Sequence, residues 1–307
     1  MSRILITGAG TGIGRLTALT LANQGHSVVA SMRDPSARNR EKAAGLLRHA
    51  EEHDVDLRVV ELDVLSEQSA HDAVSEIVET AGGLDVVVHN AAHLMFGITE
   101  AFEPDQVLAA FDTNTVGALR VNRAALPVMR QQGSGLLVWV GSGTSFVVPP
   151  FLSPYTAAKA AFDSFAESVA VEVARFGIET SIVLPGPFTQ GTAHFPNAEF
   201  PRDEAVAAAY DALYGAALAR NGEATESLFA PGVEQDVQGV ANEIARVVAL
   251  PHGDRPYRSG VDYSDFGDEA VSAVAQAQRS RLLRRMGLAD TLRPAGAARP
   301  AGRNRSG

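Results

Sequence analysis

Tyr155 and Lys159 stand four residues apart in Ser153-Pro154-Tyr155-Thr156-Ala157-Ala158-Lys159, a stretch with the marks of a helix start. Ser153 can accept from free first-turn amides, and a proline suits the first helical position because its missing N–H is not needed there. The run that follows stays helical in pattern until Gly177, a stop signal. Side chains four apart on a helix share a face, which makes the phenol and the ammonium neighbours. A tyrosine ordinarily titrates near ~10 and is a poor proton carrier at neutral pH. An adjacent ammonium favours the phenolate, lowers that value and turns Tyr155 into a usable general acid/base. Ser142, thirteen residues before the tyrosine, could hydrogen-bond the oxygen that gains or loses the proton. An amphipathic helix with a surface Tyr and Lys reads the same way, so the elements around it must decide.

Those elements alternate. Residues 3–7 are a short apolar run, followed at once by Thr7-Gly8-Ala9-Gly10-Thr11-Gly12-Ile13-Gly14 and a helical pattern ending at Gly25. Strand, glycine-rich turn and helix form the context a dinucleotide-binding loop requires. Its glycines let the backbone turn tightly and approach a pyrophosphate at the helix N-terminus, where free amides favour anions. HSVVAS (26–31) reads as the second strand, and Met32, Arg33 and Asp34 follow it. An acid at that place would hold a ribose 2′-hydroxyl, whereas a guanidinium can hold a 2′-phosphate. Arg33 therefore favours NADP(H) over NAD(H). Asp34 remains a possible ribose ligand and Ser31 a possible phosphate contact; a solvated loop is the plain alternative for all three.

A polar helix over 36–53 carries His49 and His53 four apart, but Glu does not directly follow the first and no third ligand is evident. The pair reads as a solvated face, and no metal site is expected. LRVVELDV (57–64) is the third strand; Asp63 at its end can read an adenine edge or cap the helix that begins at Ser66. LDVVVHNAA (84–92) is a buried strand ending in Asn90-Ala91-Ala92, whose small residues let a cofactor pass and whose Asn90 can brace the sheet. His93 reads as a pocket-wall residue. The helix over 103–131 holds Asn114 and Gly117 at its middle, where a glycine costs about 1 kcal/mol. Together they can mark a local distortion that exposes a carbonyl to water, or Asn114 is simply an interior polar residue. GLLVWVGSGTS (135–145) is the next strand and delivers Ser142 to the sheet edge where open α/β sheets bind ligands. IETSIVLPG is a sixth strand, and Pro185, Gly186 and Thr189 follow as a wall for a nicotinamide. The alternation then breaks from Gly191 to about Pro231, a length suited to a lid. Residues 234–250 read as a helix and 257–267 as a last strand and loop.

With 307 residues, 46% hydrophobic and 20% charged, the chain can bury a proper core. It has no apolar run near the ~20 residues of a membrane helix. The opening MSRILITGAG begins a strand at once and leaves no room for a signal peptide, so a cytoplasmic chain is expected. The absence of cysteine excludes disulfides, thiolate metal sites and cysteine nucleophiles. Beyond residue 278 eight arginines meet one acid, Asp290, which leaves a strongly acidic body behind the net charge of −10. An acidic body argues against nucleic acid as a partner. The Ala/Gly/Pro/Arg-rich end, residues 286–307, reads as a disordered tail, or alternatively as a partner-binding arm.

In their order and spacing, Thr7-Gly8-x-x-x-Gly12-Ile13-Gly14, Asn90-Ala91-Ala92, Asn114, Ser142, Tyr155-x-x-x-Lys159 and Pro185-Gly186 resemble the motifs of the short-chain dehydrogenases/reductases in their compact single-domain form. The resemblance covers about residues 3–265. It implies an α/β, Rossmann-type doubly wound parallel sheet of about seven strands with helices on both faces, in one catalytic domain over 1–285; the stretch 190–231, read above as a substrate lid, and the tail beyond about 285 are less typical of the family. It implies bound NAD(P)(H), with cofactor contacts at Gly8, Thr11, Gly12, Ile13, Gly14, Ser31, Arg33, Asp63, Val64, Asn90, Ala91, Pro185, Gly186 and Thr189. Tyr155 would be the acid/base, Ser142 would orient the carbonyl, Lys159 would hold the nicotinamide ribose and Asn114 would support a water-linked relay. Ala92 departs from the family's usual glycine and narrows the space beside the cofactor. Family members associate through the helices carrying Asn114 and Tyr155, and the stripe Ala157, Ala161 and Ala166 allows close packing, so a homodimer or homotetramer is expected.

The activity so implied is an NADP(H)-dependent interconversion of a carbonyl and a secondary alcohol. A nucleotide-sensing regulator on the same fold is the alternative, but it has no need of Ser142, Tyr155 and Lys159 together. Phe96, Phe146, Val147, Val148, Phe151, Phe188, Phe195 and Phe200 point to a pocket with apolar walls, unless several of them are core.

Overall fold

The computed structural model describes residues 1–297. In chain order the elements are β1 (Arg3–Ile6), α1 (Gly12–Asn23), β2 (Ser27–Met32), α2 (Arg40–His53), β3 (Leu57–Glu61), α3 (Glu67–Ala81) and β4 (Val86–His89). There follow α4 (Pro104–Phe111), α5 (Gly117–Gln132), β5 (Gly135–Val140), α6 (Ser153–Ala174) and β6 (Ile178–Pro185). Then come α7 (Glu204–Ala209), α8 (Asp211–Ala219), α9 (Asn221–Glu226), α10 (Gln238–Ala249), β7 (Arg258–Val261) and α11 (Asp268–Arg285). The seven strands pair in parallel in the order β3-β2-β1-β4-β5-β6-β7.

Side chains alternate along a strand, and here both faces are covered. Ile4, Ile6, Val28, Ala30, Val86, Val88, Leu136 and Val138 pack with α1, α2 and α10. Leu5, Val29, Val87, Leu137 and Trp139 pack with α3, α5 and α6 on the other face. β1, β2, β4 and β5 are therefore mostly apolar, which is why the sequence there reads as short hydrophobic runs, whereas β3, β6 and β7 also carry charged residues such as Arg58, Glu179 and Arg258. The order reverses between β1 and β4, and an open sheet leaves a crevice at the carboxyl ends of its strands at that point.

Three details differ from the sequence reading. Ser153 does not cap α6; it is the first helical residue, and its hydroxyl lies 2.7 Å from that of Thr99. Ala166 is fully buried under α6, so it cannot belong to an outward stripe with Ala157, which is exposed, and Ala161, half-buried. The chain after residue 285 also keeps structure: Ala289–Leu292 form a 3-10 turn, Arg175 pairs with Asp290 at 2.8 Å, and Ala295 N donates to Ala174 O. Composition could not show this, because two of these ties run through the main chain or a single ion pair. The rest of the tail, 298–307, lies outside the described residues.

Candidate active site

The turn after β1 is held from beneath. Thr7 Oγ1 accepts from Asn90 N (3.0 Å) and Ala91 N (3.1 Å), and Asn90 Nδ2 donates to Thr7 O and Gly8 O. This is the bracing role anticipated for Asn90. The backbone comes so close that a Cβ on Gly8, whose φ is +66°, would lie 2.8 Å from Ala91 Cα; one on Gly14 would lie 2.6 Å from Gly8 O. Only glycine fits either place.

Above this turn runs a groove lined by Gly8, Gly10, Thr11, Gly12 and Ile13, by Asn90 to Leu94, and by Met32, Leu62, Val64 and Leu65. Arg33, Arg38 and Lys42 stand around it beyond the end of β2. The first amides of a helix have no intrahelical partner, and α1 begins at Gly12. Close-packed glycines, a helix N-terminus and a cluster of cations suit a dinucleotide carrying phosphate groups, so the residues fit the cofactor the motifs imply.

Several expected contacts are not placed here. Ser31 is fully buried, with its hydroxyl donating to Ile6 O at 2.9 Å, because β2 turns it into the sheet. Asp63 uses its carboxylate to accept from Leu65 N at 3.0 Å within its own turn, leaving Leu62, Val64 and Leu65 as the wall. Thr189 is tied to Gln235 Oε1 through both its amide and its hydroxyl and lines neither cavity, whereas Thr192 lines both.

The groove adjoins a second, mostly apolar cavity with Ser142, Tyr155 and Lys159 in its wall; Ile13, Asn90, Ala92, Leu94, Thr192 and His194 are common to both. β5 delivers Ser142, and α6 carries Tyr155 and Lys159 one turn apart. All three are buried, at 8%, 9% and 3% exposure. Pro185 and Gly186 line this cavity at the end of β6. Lys159 Nζ donates to Val140 O at 2.9 Å and lies 4.9 Å from the centre of the Phe162 ring.

Electrostatics here differ from the sequence reading. Burial pushes Tyr155 up to about 12, with the hydrogen bond to Ser142 pulling the other way. Burial likewise pulls Lys159 down to about 8. The ammonium is directed at Val140 O, and desolvation of the phenolate outweighs the help the tyrosine receives. Tyr155 is therefore held firmly in its protonated form.

Asn114 sits at the centre of a π-helical turn, Asp112–Val116, between α4 and α5. Its side-chain oxygen accepts from His93 N at 2.8 Å, and its amide donates to His93 O and Ala110 O. It thus fixes the loop after β4 that forms part of the groove wall. The distortion anticipated at Asn114 is present, as an extra residue in the turn.

The pattern that defines the short chain dehydrogenases matches residues 2–199. The chain belongs to that family. It is 32% identical over 188 residues to a 3-ketodihydrosphingosine reductase of Bacteroides thetaiotaomicron, covering 61% of this chain and 64% of the relative. It is also 32% identical over 224 residues to YusZ, an uncharacterized oxidoreductase of Bacillus subtilis, covering 71% and 78%. A short-chain dehydrogenase structure from Streptomyces avermitilis has the same fold, with a TM-score of 0.72 at 24% identity and coverage of 94% and 98%.

Beyond its family motifs, this short chain dehydrogenase places residues at the site that sequence reasoning missed. Arg38 and Lys42 join Arg33 at the groove, and their nearness in sequence to the end of β2 could have flagged them. His194, Asn221, Thr225, Leu228 and Phe266 line the apolar cavity from segments without periodicity. Of the expected aromatic wall, Phe188 and Phe195 line it. Phe146 instead stacks on Arg258, and Phe96, Phe151 and Phe200 form an edge-to-face cluster, with Phe195 also packed on Phe96. His49 and His53 stack on one another at the surface. Among the described residues no helix is long and apolar enough to cross a membrane.

Proposed function

We propose that this chain is an NADP(H)-dependent oxidoreductase that interconverts a carbonyl and a secondary alcohol on a fairly apolar small molecule. One observation carries the reading: Ser142, Tyr155 and Lys159 share the wall of a mostly apolar cavity that opens onto the glycine-turn groove. The nicotinamide, when bound, supplies or accepts the hydride. Ser142 holds the substrate oxygen beside Tyr155. In reduction Tyr155 gives that oxygen its proton, and its protonated state near neutral pH suits it to the task. Lys159, still largely protonated at pH 7, places positive charge beside the site and offers a hydrogen bond to a ribose. Asn114 keeps the loop after β4 in position.

The preference for NADP(H) is supported by Arg33, Arg38 and Lys42 around one groove end, while Asp34, the alternative ribose ligand, stands outside its walls. The lid is assigned to residues 190–231. Its inner edge pairs with the body through Glu199 N to Leu94 O (2.9 Å) and Phe96 N to Glu199 O (3.0 Å). Self-association is assigned to the exposed face of α6 around Ala157 and Ala161.

Calorimetric titration with NADPH and NADH, followed by NADPH oxidation with apolar ketones including 3-ketodihydrosphingosine, tests the reading. NADPH is expected to bind more tightly than NADH, and at least one ketone to drive its oxidation. Tyr155→Phe is expected to lower kcat by about a hundredfold to ten-thousandfold with NADPH affinity retained. Tight nucleotide binding without turnover of any carbonyl would instead favour a sensing role, and binding of neither nucleotide removes the reading altogether.

A further inference from the structure

The segment between Gly191 and Phe200 carries a side chain that neither the proton relay nor the phosphate end of the groove uses. His194 lines both cavities, and its ring centre is 6.2 Å from that of Tyr155 at an interplanar angle of 68°. No hydrogen bond or ion pair ties its imidazole to another side chain or carbonyl among the described residues. The neighbouring His93 is by contrast engaged, with Nε2 3.2 Å from a Glu199 oxygen and its amide on Asn114. Burial, then the charges of Lys159 and His93, pull His194 down to about 4. At neutral pH it is thus an uncharged ring with one N–H donor and one lone-pair acceptor. The ring is half-buried and not sealed, so its nitrogens stay open to a molecule that enters the cavity. Leu152, Phe188, Phe195 and Leu228 on the same cavity offer it no partner, and the polar Ser142, Asn221 and Thr225 there make no hydrogen bond to it.

We propose that His194 is a specificity-determining residue that hydrogen-bonds a second oxygen of the substrate, next to the reacting carbon. The inference rests on the oxidoreductase reading and narrows it. With the two ring centres 6.2 Å apart, a substrate whose carbonyl oxygen is held by Ser142 and Tyr155 passes close to the imidazole, and a hydroxyl or second carbonyl on the adjacent carbon is the group placed to reach it. The preferred substrates are then α-hydroxy ketones or α-diketones with an apolar body, and plain ketones of equal size are poorer. The balance is that of ordinary reduction. NADPH, when bound, would supply the hydride to the carbonyl carbon; the oxygen takes the Tyr155 proton and solvent restores that proton. An α-hydroxy ketone thus leaves as a vicinal diol, an α-diketone leaves as an α-hydroxy ketone, and NADP⁺ is the other product. His194 neither gains nor loses a proton.

Acetophenone and α-hydroxyacetophenone are a matched pair for the test, assayed by NADPH oxidation with wild type, His194→Phe and His194→Asn. Wild type is expected to favour the hydroxylated ketone by roughly tenfold in kcat/KM, the scale of one well-placed hydrogen bond. His194→Phe keeps an aromatic ring against Tyr155 and is expected to bring that ratio to about one, mainly through KM. His194→Asn retains a donor and an acceptor and is expected to recover part of the ratio. Equal losses on both ketones, or a drop in NADPH affinity in their place, overturn the proposal and leave the oxidoreductase reading standing. That reading is tested separately by wild-type turnover of acetophenone.

Discussion

In the proposed reaction Tyr155 has to move a proton from a place where its own ionisation is disfavoured. Its folded-state value lies above the ordinary ~10, at about 12, so the stability it contributes is present below pH ~10 and is lost as pH rises towards 12. Lys159 has the opposite sign: its value is lowered to about 8, so the cost of burying the ammonium is full below that pH and is relieved above it. The phenolate absorbance difference between wild type and Tyr155→Phe is therefore expected to stay flat through pH 10 and rise only on approach to 12. A midpoint at or below 10 would show that the lysine, rather than burial, governs the tyrosine. The identities and spacing of Ser142, Tyr155 and Lys159 were legible in the sequence because four residues make one helical turn. The direction of the pKa shift was not, since it depends on how much water reaches the ring and on Val140 O taking the ammonium. Ser31 escaped for a similar reason: a strand covered on both faces gives no polar-outside signal to say that its hydroxyl turns inward.

At the scale of elements, the π-turn between α4 and α5 decides the shape of one groove wall. Gly117 directly follows it, and a Cβ there would lie 2.9 Å from Val64 Cβ and 3.3 Å from Val64 O. Alanine is the better helix former by about 1 kcal/mol. Val64 is a stiff β-branched residue packed into the wall, however, and has to move to admit the methyl. Gly117→Ala is accordingly expected to lower the thermal midpoint by a few degrees, roughly the effect of 1 kcal/mol in a chain of this kind, and to weaken NADPH binding. A more stable protein with undiminished NADPH affinity would refute this account of the wall. Asn114 and Gly117 did mark the distortion in the sequence, as an uncomfortable pair inside a long helix. The register of the bulge could not be read, because it follows from Asn114 gripping the main chain of His93, distant in sequence. α7, α8 and α9 were legible only as a mixed stretch. None of them buries a residue below the surface, so no apolar stripe was needed to specify them.

For the whole molecule, strand order and the position of the site followed from the alternation of apolar runs with helices, which leaves a parallel sheet few other arrangements. The tail after residue 285 was the opposite case. Its Ala/Gly/Pro/Arg-rich composition masks an ordered start at 286–292, which the end of α6 receives through Arg175, while the loop before β7 supplies His252 Nε2 to Ala295 O at 2.9 Å. Self-association is the other property of this scale. Ala157 and Ala161 leave α6 nearly bare along its outer face, and Phe165 and Leu108 are exposed on α6 and on neighbouring α4. Sedimentation velocity is expected to give a dimer or tetramer, and Ala157→Glu to shift it towards monomer by placing an unpaired carboxylate in the contact. A monomeric wild type would remove the assignment. Thr192 and His194 line both chambers at once, so a molecule in either chamber lies against a wall of the other. Any influence of bound nucleotide on substrate affinity through that wall is matched by an equal influence of substrate on nucleotide affinity, whichever molecule is the first to bind. The protein then behaves as a device with two inputs, in which the order of arrival alters the route and its rates while the free energy of the ternary complex stays the same.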